Sequence, residues 1–527
     1  MTIHFSLYRF LFFIIVILLF CKCSSFVDNN NYPSTDEQRL SLSLEDIHNL
    51  VDLKSEYIEY CNEFYKQRDF KTIWIKDSVI EANSFLEYVN NDIKLNLPQN
   101  YLKTPSYQSS MNPYEKEILT TLRVAEYLGI QSRGLINFKD STLNDSEYVE
   151  LEYLNAFVGN HKSKKDWISH LLSFNIKDQR IYRYHRALNE FTSTYPLNDK
   201  IISIDKEKDT IGSGSKQIAK NLKEKGFLSD LDISDDSLTS IFKSFQYMNG
   251  LNPDGVLGEK SLQALNLTNL ERYHKGIVAL EKLKSVPDSM IQSKYIEVNI
   301  PSYLLYFYNA DTIVSKHRVV VGANKTKTPE FSAPIKFIVT HPYWHVPYSI
   351  ASTEILYGAK TDSNFFKKKN YTILDKGKEI SPDSVDWSSI KPYNFPYRIR
   401  QGTGKSNSLG LLKILFPNEH AIYIHDTPSK HLFRRDIRNF SHGCIRVEEP
   451  FRLAKNILTL ENHVYADSLD TLAIRDKETY LNINDTFLVK IRYRTVDLDD
   501  SLKQLRFYND VYGREKKLLN LFAPQLP

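Results

Sequence analysis

The chain has 527 residues, of which 42% are hydrophobic and 25% are charged, and its 68 basic and 64 acidic residues leave a formal net charge of +4. This composition is ordinary for a globular protein, and the length allows two to four domains with sizeable cores. A nearly balanced charge without an extended basic face excludes nucleic acid as an expected partner, and four cysteines are too few for a disulfide framework in a chain of this length.

An apolar run lies near the start of the chain, at Phe10–Cys21. It is shorter than the roughly 20 residues that a membrane-spanning helix needs. Residues 1–25 are therefore predicted to be a secretory signal, with an uncleaved membrane anchor, or a lipid attached at Cys21 or Cys23, as the alternatives. Residues 26–43 are predicted to form a disordered tether. Each alternative predicts an exported protein of the periplasm or cell envelope.

Residues 44–211 show mainly helical periodicity and no cluster of catalytic side chains, which predicts a helical scaffold domain. Within it, Asn112–Glu115 combines a capping residue, a proline at the first helical position and an acid, which predicts the start of a helix. Gly129 predicts the end of the same helix. Cys61 falls in an apolar helical pattern and is interpreted as a small buried residue.

A linker at Gly212–Ser215 opens a compact unit at residues 212–268. Three groups of apolar residues at helical spacing predict three short helices in this unit. The groups are Ile218 with Leu222, Leu238 with Ile241, Phe242 and Phe245, and Leu262 with Leu265.

From Tyr295 onward the pattern changes to short alternating strands. Their spacing, with proline- and glycine-containing turns, favours a β-sandwich domain at residues 290–466. A lysine- and aspartate-rich insertion interrupts the strands at residues 350–396. The extension at residues 478–527 opens with Phe487–Arg494, which is interpreted as an edge strand without a chemical role. The fold class is therefore a multidomain α+β protein.

The stretch Ala421–Val447 carries the side chains best suited to chemistry. A cysteine thiolate attacks carbonyl carbon, and a nearby imidazole can take the thiol proton, so Cys444 with a histidine predicts nucleophilic acyl transfer. Gly443 would allow backbone N–H groups to approach a developing oxyanion closely. Spacing alone does not choose between the candidate bases, which are His425, His431 and His442. In the alternative, structural interpretation, Cys444 is a small buried residue.

Two motifs, Tyr423–Pro428 and Ser441–Val447, resemble the active-site signature of the bacterial cell-wall L,D-transpeptidases, whose catalytic domain is YkuD-like. The resemblance implies that Cys444 is the nucleophile and His425 its base. It extends to further segments of the large-type enzymes, which are Arg318–Gly322, Thr328-Pro329, Pro342–Trp344, Val346–Ile350 and Asn407–Gly410. The sequence departs from the usual pattern at His341, His345 and Gln401–Gly404, none of which is the nucleophile.

The resemblance also implies a function: 3→3 cross-linking of peptidoglycan stem peptides through a cysteinyl thioester, with a tetrapeptide stem as donor and a second stem peptide as acceptor. The alternatives are an L,D-carboxypeptidase, an enzyme that attaches a lipoprotein to the wall, and a non-catalytic peptidoglycan-binding protein. The region 212–268 resembles the peptidoglycan-binding module of such enzymes. The insertion at 350–396 stands where the large-type enzymes have a lid over the active site.

Several neighbours of the two catalytic residues are assigned expected roles. The carbonyl of Asp426 is expected to orient the imidazole, and Gly443 to help hold the oxyanion. Arg446 is a candidate for binding a substrate carboxylate, with a structural ion pair as the alternative. Further substrate-binding candidates are Ser441, His442, Tyr343 and Trp344. No metal-ligand spacing occurs, so neither a metal nor another cofactor is predicted.

Overall fold

The computed structural model describes residues 39–43, 54–76, 83–161, 166–176, 178–205, 216–285, 293–310, 312–475, 477–484, 487–499 and 501–522. The predicted signal with Cys21 and Cys23, most of the tether and the linker Gly212–Ser215 lie outside the described residues. None of the described helices is long and apolar enough to cross a membrane. Two compact units are present. One comprises Met1–Asn91, Leu102–Gly129 and Ser146–Phe174, and the other Asp92–Tyr101, Ile130–Asp145 and Asn175–Pro527.

The first unit is mainly helical. Its elements are β1 (Arg39–Ser41), α1 (Ser55–Lys66), β2 (Lys71–Lys76), α2 (Asn83–Val89), α3 (Pro113–Arg133), α4 (Leu151–Gly159) and α5 (Trp167–Ser173). The buried carboxylate of Glu117 on α3 accepts the backbone N–H groups of Ile73, Trp74 and Ile75 at 2.5–3.0 Å, which anchors β2 to the helix. Burial raises the pKa of Glu117 to about 7. Cys61 is fully buried in α1.

The prediction that Gly129 ends α3 is wrong, because the helix continues to Arg133. A glycine inside a helix costs about 1 kcal/mol relative to alanine. Burial of the flanking Leu128 and Ile130 offsets that cost. The helix ends instead before Gly134, whose φ of +82° is the left-handed conformation typical of a helix C-terminus.

The second unit contains the three predicted short helices. Its elements before the main sheet are β3 (Ile136–Asn137), β4 (Thr142–Leu143), α6 (Gln179–Thr194), α7 (Lys216–Glu224), α8 (Asp235–Met248), α9 (Glu259–Leu265) and α10 (Asn269–Lys284). Helices α7, α8 and α9 share a core that includes Leu222, Phe242 and Leu265. Gln246 of α8 holds the loop before α9, since its side chain donates to Asp254 at 2.9 Å and accepts the Gly255 N–H at 2.8 Å.

Strands and short helices make up the rest of the second unit. The strands are β5 (Lys294–Asn299), β6 (Leu304–Asn309), β7 (Thr312–Gly322), β8 (Phe331–Pro334), β9 (Phe337–Thr340), β10 (Trp344–His345), β11 (Tyr371–Asp375), β12 (Lys378–Ile380), β13 (Arg398–Gln401), β14 (Leu412–Leu415), β15 (Ile424–His425), β16 (Asn439–Ser441), β17 (Ile445–Val447), β18 (Thr479–Asn482), β19 (Leu488–Arg492), β20 (Val496–Asp499) and β21 (Gln504–Phe507). The helices are α11 (Tyr348–Ile350), a π-helix (Ala351–Ile355), α12 (Leu356–Thr361), α13 (Phe365–Lys369), α14 (Pro450–Leu460), α15 (Leu469–Ile474) and α16 (Lys516–Leu519).

The main sheet has the strand order β18-β9-β14-β15-β17-β7-β6-β5-β19-β8, with β16 beside β7. Strands from opposite ends of this order contribute to one core, for example Leu481 of β18 and Val489 of β19. A sheet whose distant strands share a core must curl, which gives the expected sandwich-like arrangement. Helix α14 adds Leu453 and Ile457 to the same core. The mixed α+β fold predicted from the sequence is confirmed.

The insertion has a sheet and a core of its own. Strands β10, β13, β11 and β12 form a small sheet in that order. Its core is made of Ile350, Ala351, Ile355, Leu356, Phe366, Ile373, Val385, Ile390, Phe395 and Ile399.

The interpretation of Phe487–Arg494 as an edge strand is wrong. Strand β19 lies inside the sheet, where Val489 is in register with Ile296 of β5 on one side and with Ala333 of β8 on the other. Its polar residues have partners on the sheet. Lys490 Nζ lies 3.8 Å from the centre of the Tyr295 ring.

Candidate active site

The end of β15 and the start of β17 lie side by side in parallel, with Ile424 opposite Ile445. Both isoleucines are fully buried in the core. Because side chains alternate along a strand, the residues next to these isoleucines share the opposite face of the sheet. These residues are Tyr423, His425, Cys444 and Arg446. A thiol, an imidazole, a phenol and a guanidinium therefore face the same side.

The thiol of Cys444 is half-buried and lies 3.8 Å from the carbonyl oxygen of Ala421. Burial raises the pKa of Cys444 above its ordinary value, and hydrogen bonds from the backbone and hydroxyl of Tyr423 offset only part of this shift. The charge of Arg446 acts in the same direction as the Tyr423 contacts. The resting form of the cysteine is therefore the neutral thiol.

The imidazole of His425 is held in one tautomer. Its Nδ1 lies 2.5 Å from the carbonyl oxygen of Asp426, and a carbonyl only accepts, so Nδ1 carries the hydrogen and Nε2 the lone pair. Burial lowers the pKa of His425 to about 3, and the charge of Arg446 contributes to the shift. Among the described residues Nε2 has no hydrogen-bond partner. A neutral imidazole with a free lone pair can take a proton.

The other two candidate histidines have different surroundings. Nε2 of His442 lies 2.6 Å from Oε1 of Glu354, in the π-helix of the insertion. His431 is exposed on the 3-10 turn Lys430–Arg434. His425 alone of the three is in ladder register with the strand that follows Cys444. The geometry therefore favours His425 as the base.

The backbone N–H groups of Gly443 and Cys444, next to the thiol, differ in their hydrogen bonding. Gly443 has a φ of +116°, a conformation that favours glycine. Its N–H donates to Ser441 Oγ at 3.1 Å, and the Ser441 hydroxyl donates to the Cys444 carbonyl at 2.6 Å. The N–H of Cys444 has no partner within the described part of the chain. That N–H and the Tyr423 hydroxyl are the donors positioned to stabilise an oxyanion at a carbonyl attacked by the thiol.

The carboxylate of Asp426 supports the loop rather than the chemistry. It accepts the N–H groups of Leu411 at 2.9 Å and Thr427 at 2.7 Å, and it pairs with Lys430. A side chain at Gly410 would collide with it, since a Cβ there would lie 2.2 Å from Oδ2. These contacts hold the Asp426 carbonyl where it meets the imidazole.

The remaining candidates differ in their relation to the thiol. Arg446 forms no ion pair with the described residues, and its buried Nε lacks a partner, so its guanidinium is available to an anion. Trp344 hydrogen-bonds to the hydroxyl of Tyr423, which in turn reaches the sulfur. Tyr343 instead contacts Arg400, which lies 4.9 Å from its ring centre, and donates its N–H to Glu478.

Comparisons with known proteins find similarity over the segment that contains this site. Residues 293–471 match the family model of the YkuD L,D-transpeptidase catalytic domain. A Haemophilus influenzae protein named "Putative L,D-transpeptidase" is 35% identical over 239 residues, which are 45% of this chain and 47% of the relative. The chain thus matches about half the length of that relative. The predicted resemblance to a YkuD-type L,D-transpeptidase catalytic domain is therefore confirmed for residues 293–471.

A crystal structure of an L,D-transpeptidase (Yku) from Stackebrandtia nassauensis aligns with 55% of this chain and 95% of its own at 10% identity. The TM-score of this alignment is 0.19, so it carries no argument about the fold.

The sequence motifs include Tyr423 but indicate no role for it, and no motif indicates Glu354. For Tyr423 the signal was present, because a period of two places it on the same face as His425. Glu354 carries no such signal, since its contact with His442 joins residues far apart in the sequence.

Proposed function

We propose that this protein is an exported cysteine L,D-transpeptidase that forms 3→3 cross-links between peptidoglycan stem peptides. The observation that supports this most directly is the shared sheet face of Cys444 and His425, within a domain of that family. The half-buried thiol and the neutral imidazole with Nε2 unoccupied are the reactants that acyl transfer requires.

In the acylation step, Sγ of Cys444 attacks the carbonyl carbon of the third residue of a donor tetrapeptide while its proton passes to Nε2 of His425. The carbonyl electrons move to oxygen, where the N–H of Cys444 and the hydroxyl of Tyr423 stabilise the charge. The C–N bond to the terminal D-alanine then breaks, and the leaving nitrogen takes the proton from His425. A thioester on Cys444 results.

In the second step, the side-chain amine of an acceptor stem attacks the thioester carbonyl. His425 takes a proton from the attacking nitrogen, the C–S bond breaks, and the thiolate of Cys444 recovers a proton. An amide bond between the two stems is formed. Arg446 would hold a stem carboxylate on the same face, since its guanidinium is not paired within the described residues.

The test replaces the nucleophile and uses the other described cysteine as a matched control. Cys444→Ala should abolish the thioester and the release of D-alanine from a synthetic disaccharide tetrapeptide, measured by mass spectrometry. Cys61→Ala should retain both, because Cys61 is buried in α1 outside the site. Cross-linking by the purified Cys444→Ala protein would refute the mechanism.

The same assay identifies the acceptor. A cross-linked dimer indicates a stem amine, a free tripeptide indicates water and hence a carboxypeptidase, and transfer to an added lipoprotein peptide indicates wall attachment. Muropeptide analysis of cells with and without the gene tests the result in the wall itself.

Wall binding is proposed for residues 212–268, on the resemblance of this region to a peptidoglycan-binding module. Holding the enzyme on the polymer would raise the local concentration of stems without altering the chemistry. The intact protein should sediment with insoluble peptidoglycan. Val256 is exposed on the loop before α9. Val256→Asp should weaken sedimentation and leave β-lactam acylation of Cys444 unchanged. Unchanged sedimentation of this variant and of a second loop variant, Asn252→Asp, would indicate a structural role for the loop.

A further inference from the structure

The peptide bond between Gly443 and Cys444 is held from behind by a threonine. Oγ1 of Thr328 donates to the carbonyl oxygen of Gly443 at 2.7 Å and accepts the N–H of Gly322 at 2.9 Å. In a trans peptide the C=O of one residue and the N–H of the next point in opposite directions. The bond to the Gly443 carbonyl therefore also sets the direction of the Cys444 N–H, which has no hydrogen-bond partner among the described residues.

A tyrosine from the C-terminal extension holds this threonine in place. The hydroxyl of Tyr512 donates to the carbonyl of Gly322 at 2.6 Å and accepts the N–H of Thr328 at 3.3 Å. Tyr512 is itself fixed, because its N–H donates to the hydroxyl of Tyr493 at 2.7 Å. Thr328 and Tyr512 are both buried. One phenol thus connects both ends of the Gly322–Thr328 loop.

The Gly443–Cys444 peptide needs this support because one of its two residues is glycine. A glycine backbone is conformationally permissive, so the Gly443–Cys444 peptide can rotate at lower cost than one preceded by a residue with a Cβ. Rotation would turn the Cys444 N–H away from the reacting carbonyl and leave the sulfur close to its original position. The reaction would lose an oxyanion donor but keep its nucleophile.

We infer that Thr328 and Tyr512 are positioning residues that aim the Cys444 N–H at the oxyanion, so that the C-terminal extension contributes to catalysis without touching substrate. This inference rests on the proposed function, because it needs acyl transfer at Cys444.

Two reagents distinguish a loss of oxyanion stabilisation from a loss of thiol reactivity. A carbapenem acylates the thiol through a tetrahedral oxyanion, with the C–S bond forming and the lactam C–N bond breaking as nitrogen takes a proton. Iodoacetamide alkylates the thiol by displacement of iodide, and this reaction develops no oxyanion on the carbonyl. The ratio of the two rate constants at Cys444, followed by mass spectrometry, reports the oxyanion donor alone.

Thr328→Val keeps the shape of the side chain and removes its hydroxyl. The acylation-to-alkylation ratio should therefore fall by roughly 10- to 100-fold, which is no more than the effect of removing an oxyanion donor outright. Thr328→Ser should restore most of the ratio. Tyr512→Phe should lower it less, by roughly 3- to 10-fold, because Thr328 keeps its bond to Gly443. The double variant should lose little more than Thr328→Val, since both residues act through one carbonyl.

The matched control is Thr340→Val in β9. Thr340 is as fully buried as Thr328, but its hydroxyl has no hydrogen-bond partner among the described residues. Its replacement should leave the ratio unchanged. The control therefore measures the effect of a buried threonine-to-valine change by itself.

Each outcome decides between the alternatives. An unchanged ratio in Thr328→Val and in Tyr512→Phe overturns the inference, and so does a parallel loss of both rates, which would indicate disordering of the thiol. If the wild-type protein is alkylated at Cys444 but no carbapenem or stem peptide acylates it, the proposed function fails first and the inference fails with it. Circular dichroism of each variant ensures that rates refer to folded protein.

Discussion

At the residue scale, the pKa shifts of Cys444 and His425 favour the neutral form of both side chains. Burial raises the pKa of the thiol and lowers that of the imidazole, so a preformed thiolate–imidazolium pair is disfavoured. The proton must then move as the sulfur attacks. The thiol should therefore react more slowly with small electrophiles than a free thiolate does.

The pH dependence of acylation follows from these shifts. With a pKa of about 3, His425 stays in its base form above that pH, so the wild-type acylation rate should change by less than about twofold between pH 5 and pH 7. His425→Ala should lower the rate roughly 10²- to 10⁴-fold and introduce a rise with pH, because the thiolate must then form by ionisation into solvent. Carbapenem acylation measured across this range tests both statements.

His431→Ala, an exposed change on the neighbouring turn, is the control for that experiment and should keep the flat profile. A tenfold fall of the wild-type rate from pH 7 to pH 5 would show that the base titrates near its ordinary value. If His442→Ala, rather than His425→Ala, lowers the acylation rate and makes it rise with pH, the base is His442.

At the element scale, the insertion contacts the motif around Cys444 through Glu354. Glu354 lies in the π-helix, and its carboxylate meets His442 two residues before the nucleophile. Both side chains are about half-exposed, so the pair is a weak link between elements that have separate cores. The lid that the resemblance implies for residues 350–396 would need contacts weak enough to break on opening.

Glu354→Ala should therefore loosen the insertion without unfolding it. An exposed contact of this kind contributes roughly 0.2–1 kcal/mol, which corresponds to an increase of up to about fivefold in hydrogen exchange of the helix Leu356–Thr361. Glu379→Ala, on exposed strand β12 of the same insertion, should leave the exchange unchanged. Equal exchange in both variants would contradict a role for the contact.

At the scale of the whole second unit, a buried ion cluster joins segments from distant parts of the chain. Glu297 on β5 lies 2.5 Å from Arg494 and 3.3 Å from Arg180 of α6, and all three side chains are largely buried. Arg494 also lies 3.3 Å from Asp497 on β20. One carboxylate, that of Glu297, thus connects helix α6 and the C-terminal extension to strand β5.

Glu297→Gln should destabilise this unit by roughly 3–5 kcal/mol, because two buried guanidinium groups lose the carboxylate charge that they share. Burial by itself raises the pKa of Glu297, but Arg494 and Arg180 outweigh it and hold the pKa well below its usual range. A lowered folded pKa gives stability that is complete above the unfolded value near 4.3 and is lost as the pH falls below it. The variant should therefore lose less stability than the wild type between pH 5 and pH 3.

Urea unfolding at these pH values measures both effects. Glu449→Gln, which breaks a half-exposed pair with Arg452, should cost less than about 1 kcal/mol. A cost for Glu297→Gln no larger than that of the control would show that the cluster does not join the segments.

Local patterns account for what could be predicted. Alternation along Tyr423–His425 and the motif around Cys444 are contiguous in sequence, so a period of two and the chemistry of thiol and imidazole suffice to name the nucleophile and its candidate bases. The three helices of residues 212–268 follow from apolar spacing in the same way. The errors at Gly129 and at Phe487–Arg494 arose where tertiary burial outweighed a local signal.

The sequence by itself determined the strands, the helices and the reactive side chains of this protein, because these depend on neighbours a few residues away. Only the tertiary structure decided which hydrogen bonds those side chains make. It joins His442 to Glu354, leaves Arg446 without an ion pair among the described residues, and brings Thr328 and Tyr512 behind the Gly443–Cys444 peptide. Thr328 and Gly443 are 115 residues apart, and Thr328 and Tyr512 are 184 apart. A hydrogen bond requires atoms within about 3 Å at a suitable angle, and over such separations only the packed fold sets that geometry.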